Sequence, residues 1–296
     1  MNKEKISRSL KNFAHTVFLD HLPDEAYIKM KYRIMIGKQL DLRNPRTYNE
    51  KLQWLKLYDR NPKYISMVDK YEVKEYIAKT VGKQYAVPNL GIWGSFDDID
   101  FSKLPNQFVL KPTHDSGTIV ICHDKNTFDI NGARNKIQKS LKHNFYWIGR
   151  EWPYKGVKPR IIAEEYLTND DGSEVKDYKF HCFNGKMKFL YITSDRFNGK
   201  GLKADYFDEE FNKLDIQWEF PNSDYNIEKP ENFEVMKELA EVLSAGIPTL
   251  RVDFYEVNKK IYIGELTFYD GSGFSKMDDK IDLAIGDYIT LPILEK

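Results

Sequence analysis

The chain has 296 residues, and its 45 basic and 45 acidic side chains leave a formal net charge of zero. That length suits one unit of two or three subdomains. With 41% hydrophobic and 30% charged residues it is not a disordered chain, and without a basic excess nucleic acid is excluded as the main partner.

Lys3 to Leu22 mixes Lys3, Lys5, Arg8 and Lys11 with Phe13, Val17, Phe18 and Leu19. It reads as an amphipathic helix packing on the body, with a peripheral membrane helix as the alternative. Residues 1–100 as a whole read as mostly helical. Thr47 to Tyr58 places Leu52, Trp54, Leu55 and Tyr58 near one face, and Thr47 with Glu50 fits a capping box. Val68 to Val81 reads as a second helix, stopped by Gly82.

From Gln107 the pattern changes to strands. QFVLK (107–111) and GTIVIC (117–122) flank the turn-rich segment Pro112 to Ser116, which predicts a hairpin. A helix over Gly132 to Asn144 follows. RIIAEEYL (160–167), DYKFHCF (177–183) and MKFLYIT (187–193) read as strands, the last two joined by the tight-turn pair Asn184-Gly185. Pro230 and Glu231 open a helix running to Gly246. TLRVDFYEV (249–257) and KIYIGELTF (260–268) form a final strand pair around Asn258. Interspersed helices and hairpins predict an α+β fold with mostly antiparallel sheets. Cys122 and Cys182 stand far apart in apolar strands, without disulfide or zinc spacing, and no segment approaches ~18 consecutive apolar residues. The expected compartment is the cytoplasm, with no transmembrane segment.

Charges set in apolar strands need a partner or a polar cleft, because a buried unpaired charge costs several kcal/mol. Lys111 ends the run Phe108-Val109-Leu110; it is either an edge lysine snorkelling to water or the neighbour of a phosphate cradle built from Thr113-His114-Asp115-Ser116-Gly117-Thr118. Alternation puts Arg251 and Asp253 on one face of their strand, and Glu265 and Thr267 on one face of the next. Two carboxylates and a hydroxyl suit Mg²⁺, and Arg251 suits a phosphate or an oxyanion. A cross-strand charge pair on a solvated face is the alternative. Of the adjacent Glu164 and Glu165, one can face a cleft while the other meets solvent. Asp177, Lys179 and His181 share a face that fits either a polar ligand or a salt-bridged surface.

The blocks DKYEVKEYI, QFVLKPTHDSG, GREWPYKGVKPRIIAEEYL, DYKFHCFNGK, SDRFNGK and RVDFYEVNKKIYIGELTFYDGSGF, in that order, resemble the TupA-like ATP-grasp family, linked to bacterial cell-surface polysaccharide biosynthesis. The resemblance implies an ATP-grasp fold, with two α+β lobes clamping ATP behind a mostly helical N-terminal region. The expected division is 1–100 for that region, 101–165 for the lid and 166–296 for the core. It implies ATP and Mg²⁺ as cofactors, with Lys70 and Lys111 on the phosphates and the loop through Ser116 and Gly117 covering them. Glu164 and the backbone of Leu167 would take adenine, and Asp177 the ribose. Lys179 belongs to the same pattern. Asp253 and Glu265 would hold magnesium and Arg251 the transferred phosphoryl group. Thr267 stands where many such enzymes carry Asn, a weaker ligand that puts the second ion in doubt.

The implied activity is carboxylate–amine ligation through an acyl phosphate, with a sugar acid and an amino acid or amino sugar as small-molecule substrates and peripheral association with polysaccharide machinery as a further expectation. His114 and His181 are candidate proton carriers, with structural or ligand-positioning roles the favoured alternatives. Arg150, Lys155 and Arg160, near Trp147, Trp152 and Tyr154, read as a site for an anionic sugar or as ordinary packing. Competing classes are a glycosyltransferase, for which Asp170-Asp171 is a poor metal motif, an ATP-dependent sugar phosphotransferase, and a non-catalytic ATP-binding partner.

Overall fold

The computed structural model describes residues 21–195, 201–218 and 220–293. Most of the expected N-terminal amphipathic helix, and residues 196–200 of SDRFNGK, lie outside that range. Helix α1 (Asp24–Ile36) ends at Gly37, whose left-handed φ of 85° lets its N–H bond back to the Arg33 carbonyl. Helix α2 (Tyr48–Tyr58) starts on the expected capping box, Thr47 accepting from the Glu50 N–H and Glu50 from the Thr47 N–H. The helix expected over Val68 to Val81 is two: α3 (Lys63–Val68) and α4 (Val73–Thr80). Asp69 breaks it, because its carboxylate accepts from the N–H groups of Tyr71 (2.8 Å) and Glu72 (3.1 Å) and replaces helical partners there.

Two antiparallel sheets carry the rest. The smaller, in order β1-β4-β2-β3, comprises β1 (Asn89–Trp93), β2 (Phe108–Pro112), β3 (Val120–Cys122) and β4 (Ile161–Glu165). Helix α5 (Ile130–Leu141) buries Ala133 and Ile137 against Phe108, Leu110, Ile161 and Ala163. Strand β1 interrupts the segment expected to be helical and joins the lid sheet from ahead of residue 101; NLGIW, with a central glycine, carries no alternation that would mark it.

The larger sheet, in order β7-β6-β5-β8-β9, comprises β5 (Asp177–Phe183), β6 (Lys186–Ser194), β7 (Lys203–Asp208), β8 (Thr249–Val257) and β9 (Lys260–Thr267). Its two tightest turns have consecutive positive φ, 50° and 80° at Asn184-Gly185 and 50° and 63° at Asn258-Lys259, the backbone twist that two-residue hairpins require. On one face Phe180, Leu190, Val252 and Phe254 are buried beneath helix α6 (Phe233–Leu243), which sets Phe233 on Phe180 at 5.7 Å between ring centroids. Each such side chain contributes roughly 1.5–3 kcal/mol by leaving water. The β8–β9 register shifts once: Asp253 pairs with Glu265 but Phe254 with Ile263, leaving Gly264 as the extra residue of a bulge.

Candidate active site

The opposite face of the larger sheet is polar where β5, β8 and β9 meet. Cross-strand pairing sets Phe189, His181, Arg251 and Thr267 in one row and Tyr191, Lys179, Asp253 and Glu265 in the next, with Thr193 and Asp177 in a third. Arg251 Nε lies 2.6 Å from Asp253 Oδ1 and Nη2 2.8 Å from Oδ2, a two-pronged ion pair. The same guanidinium donates to Thr267 Oγ1 (3.1 Å), to the Tyr191 hydroxyl (3.3 Å) and to Asp270. Lys179 Nζ sits 2.6 Å from both Asp177 Oδ2 and Asp253 Oδ2. Burial opposes ionisation of Asp253, and Arg251 and then Lys179 overcome it, holding the carboxyl well below the usual carboxylate range. Burial also disfavours the Lys179 ammonium, but Asp177 and Asp253 raise its pKa above the ordinary value.

The smaller sheet contributes a second charged cluster. Lys111 Nζ and Lys74 Nζ each stand 2.5 Å from one oxygen of the buried Glu164. Burial works against this carboxylate too, and Lys111 and Lys74 together bring it down to about 2. Glu165 is exposed, as alternation requires of its neighbour. Lys70 joins the clusters: its N–H bonds the Thr113 carbonyl (3.1 Å), and its ammonium donates to the Asp115 carbonyl (2.6 Å) and lies 3.4 Å from Glu265 Oε1. Lys111 and Glu164 thus belong to one cluster and Asp177, Lys179, Arg251, Asp253 and Glu265 to another, with Lys70 tying the loop after Lys111 to Glu265. Ser116 and the left-handed Gly117 (φ 90°) are exposed on the adjoining loop, and half-buried Leu167 follows the end of β4.

Two participants escaped sequence reading. Lys74 approaches Glu164 from α4, ninety positions away, anchored by the Val87 carbonyl at 2.8 Å. Asp270 lies in the turn after β9, where no alternation marks its direction. For other candidates the structure favours one of the open readings. His114 Nε2 is 3.0 Å from the His143 carbonyl and 3.3 Å from that of Ser140, so it ties the lid loop to the end of α5, a structural role. His181 stacks on Phe189 at 4.4 Å; burial lowers its pKa to about 4, with Asp270 pulling the other way, so it is neutral near pH 7. Of the basic group near the lid, Arg150 and Arg160 are taken up by packing and ion pairs, and Lys155 is exposed. Arg150 is buried between Tyr27 (4.4 Å) and Trp147 (4.5 Å), and Arg160 pairs with Asp69 (2.7 Å) and Glu72 (2.9 Å), while Lys155 lies over Tyr146 at 5.0 Å.

The donor chemistry fits a nucleotide triphosphate with a hard cation in part. Lys70, Lys74, Lys111 and Arg251 supply positive charge from separate segments. Glu265, with a side chain 31% exposed, and Asp253 opposite it can offer oxygens to one magnesium ion. Thr267 fits less well as a ligand: its hydroxyl accepts from Arg251 and, unlike the Asp253 carboxylate, brings no negative charge to offset that guanidinium. Among the described residues, no group of three or more His, Cys, Asp and Glu is arranged to hold a metal ion.

Two antiparallel sheets with flanking helices are the α+β arrangement expected of an ATP-grasp fold, the class that the family model assigns. The family described as TupA-like ATPgrasp matches residues 50–290, and the chain belongs to it. No curated protein matches it in sequence. Among solved structures it is similar to a D-alanine–D-alanine ligase from Bacillus anthracis complexed with ATP, at 16% identity over 76% of this chain and 59% of that one, TM-score 0.40. It is also similar to a RimK domain ATP-grasp protein from Sphaerobacter thermophilus, at 11% identity over 78% and 70%, TM-score 0.42. The ATP-grasp ligase PsnB with a phosphomimetic variant of its minimal precursor, Mg and ADP matches at 13% identity over 80% and 63%, TM-score 0.42. The chain thus spans less than two thirds of the first of these ligases.

Proposed function

We propose that the protein is an ATP-dependent carboxylate–amine ligase that works through an acyl phosphate, with a sugar acid and an amino acid or amino sugar as its substrates in cell-surface polysaccharide biosynthesis. The observation that carries the reading is the bridge from Lys70 to Glu265, which ties the loop after Lys111 to an acid of the larger sheet. In this reading Lys70, Lys74 and Lys111 hold the phosphates, and the loop through Ser116 and Gly117 covers them. Glu164 keeps the two lysines beside it charged and placed. It also accepts from the adenine amino group, with Leu167 completing that contact through its backbone and Asp177 holding the ribose. Magnesium, when bound at Asp253 and Glu265, neutralises phosphate charge.

In the first half-reaction a carboxylate oxygen bonds to the γ-phosphorus and the bond to the β-phosphate oxygen breaks, releasing ADP. Arg251, fixed by Asp253 and Asp270, faces the transferred group and stabilises its developing negative charge. In the second, an amine nitrogen bonds to the carbonyl carbon, phosphate leaves and the amine loses its proton to water or phosphate. No side chain forms a covalent bond. Residues 1–100, 101–165 and 166–296 act as the helical region, the lid and the core, the lid sheet also recruiting β1. Cytoplasmic operation beside membrane polysaccharide machinery belongs to the same proposal.

The test is mass spectrometry of products after incubation with MgATP, uronic acids and a pool of amines. Release of ADP and phosphate only when both acid and amine are present, with an amide product, is the expected result. ADP with a phosphorylated sugar would instead establish a phosphotransferase, and release of UDP from a nucleotide sugar a glycosyltransferase.

A further inference from the structure

Lys179 is the most enclosed cation of the larger sheet's polar face. It is 8% exposed, rises from the middle of β5, and bridges Asp177 of its own strand and Asp253 directly opposite on β8, at 2.6 Å from each. A point within reach of two carboxylates from neighbouring strands is where a divalent cation would otherwise collect oxygen ligands. Here that point holds an ammonium group, covalently tethered. Around it little oxygen is left for a second ion: Arg251 and Lys179 between them take three of the roughly four lone-pair sites of Asp253, and the Thr267 hydroxyl accepts from the Arg251 guanidinium.

We infer that the Lys179 ammonium occupies the place of a second divalent cation, so that this site takes a single magnesium ion, between Glu265 and Asp253, with its nucleotide. The inference rests on the ATP reading above for the first ion, but the lysine's own part can be read without nucleotide. Removing the ammonium leaves Asp177 and Asp253 enclosed, close together and of like charge. Such a pair either takes up a proton or recruits a cation. A lysine to methionine change preserves the length of the side chain and deletes only the charge. An arginine keeps the charge and is expected to keep the cation excluded.

The experiment counts bound Mn²⁺ by electron paramagnetic resonance on the full chain, as wild type, Lys179→Met and Lys179→Arg, each with and without a saturating non-hydrolysable ATP analogue. With the analogue, the expected counts are one ion in wild type, two in Lys179→Met and one in Lys179→Arg. Without it, Lys179→Met should hold one ion more than wild type, and Mn²⁺ should raise its melting temperature while leaving that of wild type unchanged. Two ions in analogue-bound wild type, or equal counts in wild type and Lys179→Met, overturn the inference. Should Lys179→Met not fold even with Mn²⁺, the wild-type count decides, one ion supporting and two overturning it. Failure of wild type to bind the analogue removes the ATP reading, while the nucleotide-free comparison still decides whether Lys179 displaces a cation.

Discussion

Lys70 Nζ stands 3.4 Å from Glu265 Oε1, which couples the helical segment ahead of the lid to the last strand of the larger sheet. The same ammonium donates to the Asp115 carbonyl in the loop that follows β2. Replacing Lys70 with Met should therefore weaken binding of an ATP analogue about tenfold to a hundredfold, the worth of one or two charge-assisted hydrogen bonds. Isothermal titration calorimetry measures this, and unchanged affinity would remove Lys70 from the phosphate site.

Glu164→Gln leaves Lys74 and Lys111 facing a neutral amide in a half-buried position. Breaking such a pair costs ~3 kcal/mol, which for a chain of this size lowers the melting temperature by several degrees. Because bound phosphate would restore the missing negative charge, MgATP should raise the melting temperature of Glu164→Gln more than that of wild type. The folded pKa of Glu164 lies below its unfolded value. Its stabilisation is thus complete above about pH 4.5 and is lost as pH falls towards 2. Differential scanning fluorimetry across pH, with and without MgATP, reads all three effects.

Asp253→Asn should lower turnover at least ~100-fold, since it releases Arg251 and weakens the metal position together. It should also cost ~3 kcal/mol of stability by leaving two enclosed cations with one charge partner fewer. Steady-state release of ADP and urea unfolding separate the effects; near-normal turnover would exclude Asp253 from the reaction.

His181 is buried as the neutral imidazole. Its folded pKa of about 4 against 6.5 means that the unfolded chain takes up its proton first as pH falls. The contribution is fully present above pH 6.5 and drains away towards pH 4, amounting to a loss of roughly 2 kcal/mol at pH 5. His181→Phe should lose less stability than wild type between pH 7 and pH 5 in urea unfolding. Parallel losses in the two proteins would show that His181 charges freely in the folded state.

How much of this could be read before folding depends on how far apart the interacting residues lie. The β5–β6 and β8–β9 hairpins were legible because Asn184-Gly185 and Asn258 sit between alternating runs, and the facing of Asp253 and Glu265 followed from them. Glu164 and Lys111 were legible for the same local reason. Lys74 was not, because its partner is set by the docking of a helix on a distant sheet. The Arg150 cluster stayed open between two readings, because a basic and aromatic run looks the same whether its charges meet a ligand or stack between Tyr27 and Trp147. Strand β7, with the polar ends of KADYFD, had no periodic signature, and only its pairing with β6 makes it a strand.

The bulge at Gly264 gives β9 a change of parity. In plain alternation Ile263 and Glu265 would point the same way, so an acid aimed at the polar face would drag an isoleucine out of the core. One supernumerary glycine lets the strand bury Ile263 beside Phe254 and still present Glu265 beside Asp253. A β-carbon there would stand 2.6 Å from the ring of Tyr255. Keeping that residue but drawing it into the ladder, with Glu265 held opposite Asp253, would turn over the strand ahead of it and carry Ile263 from the oily side to the charged one.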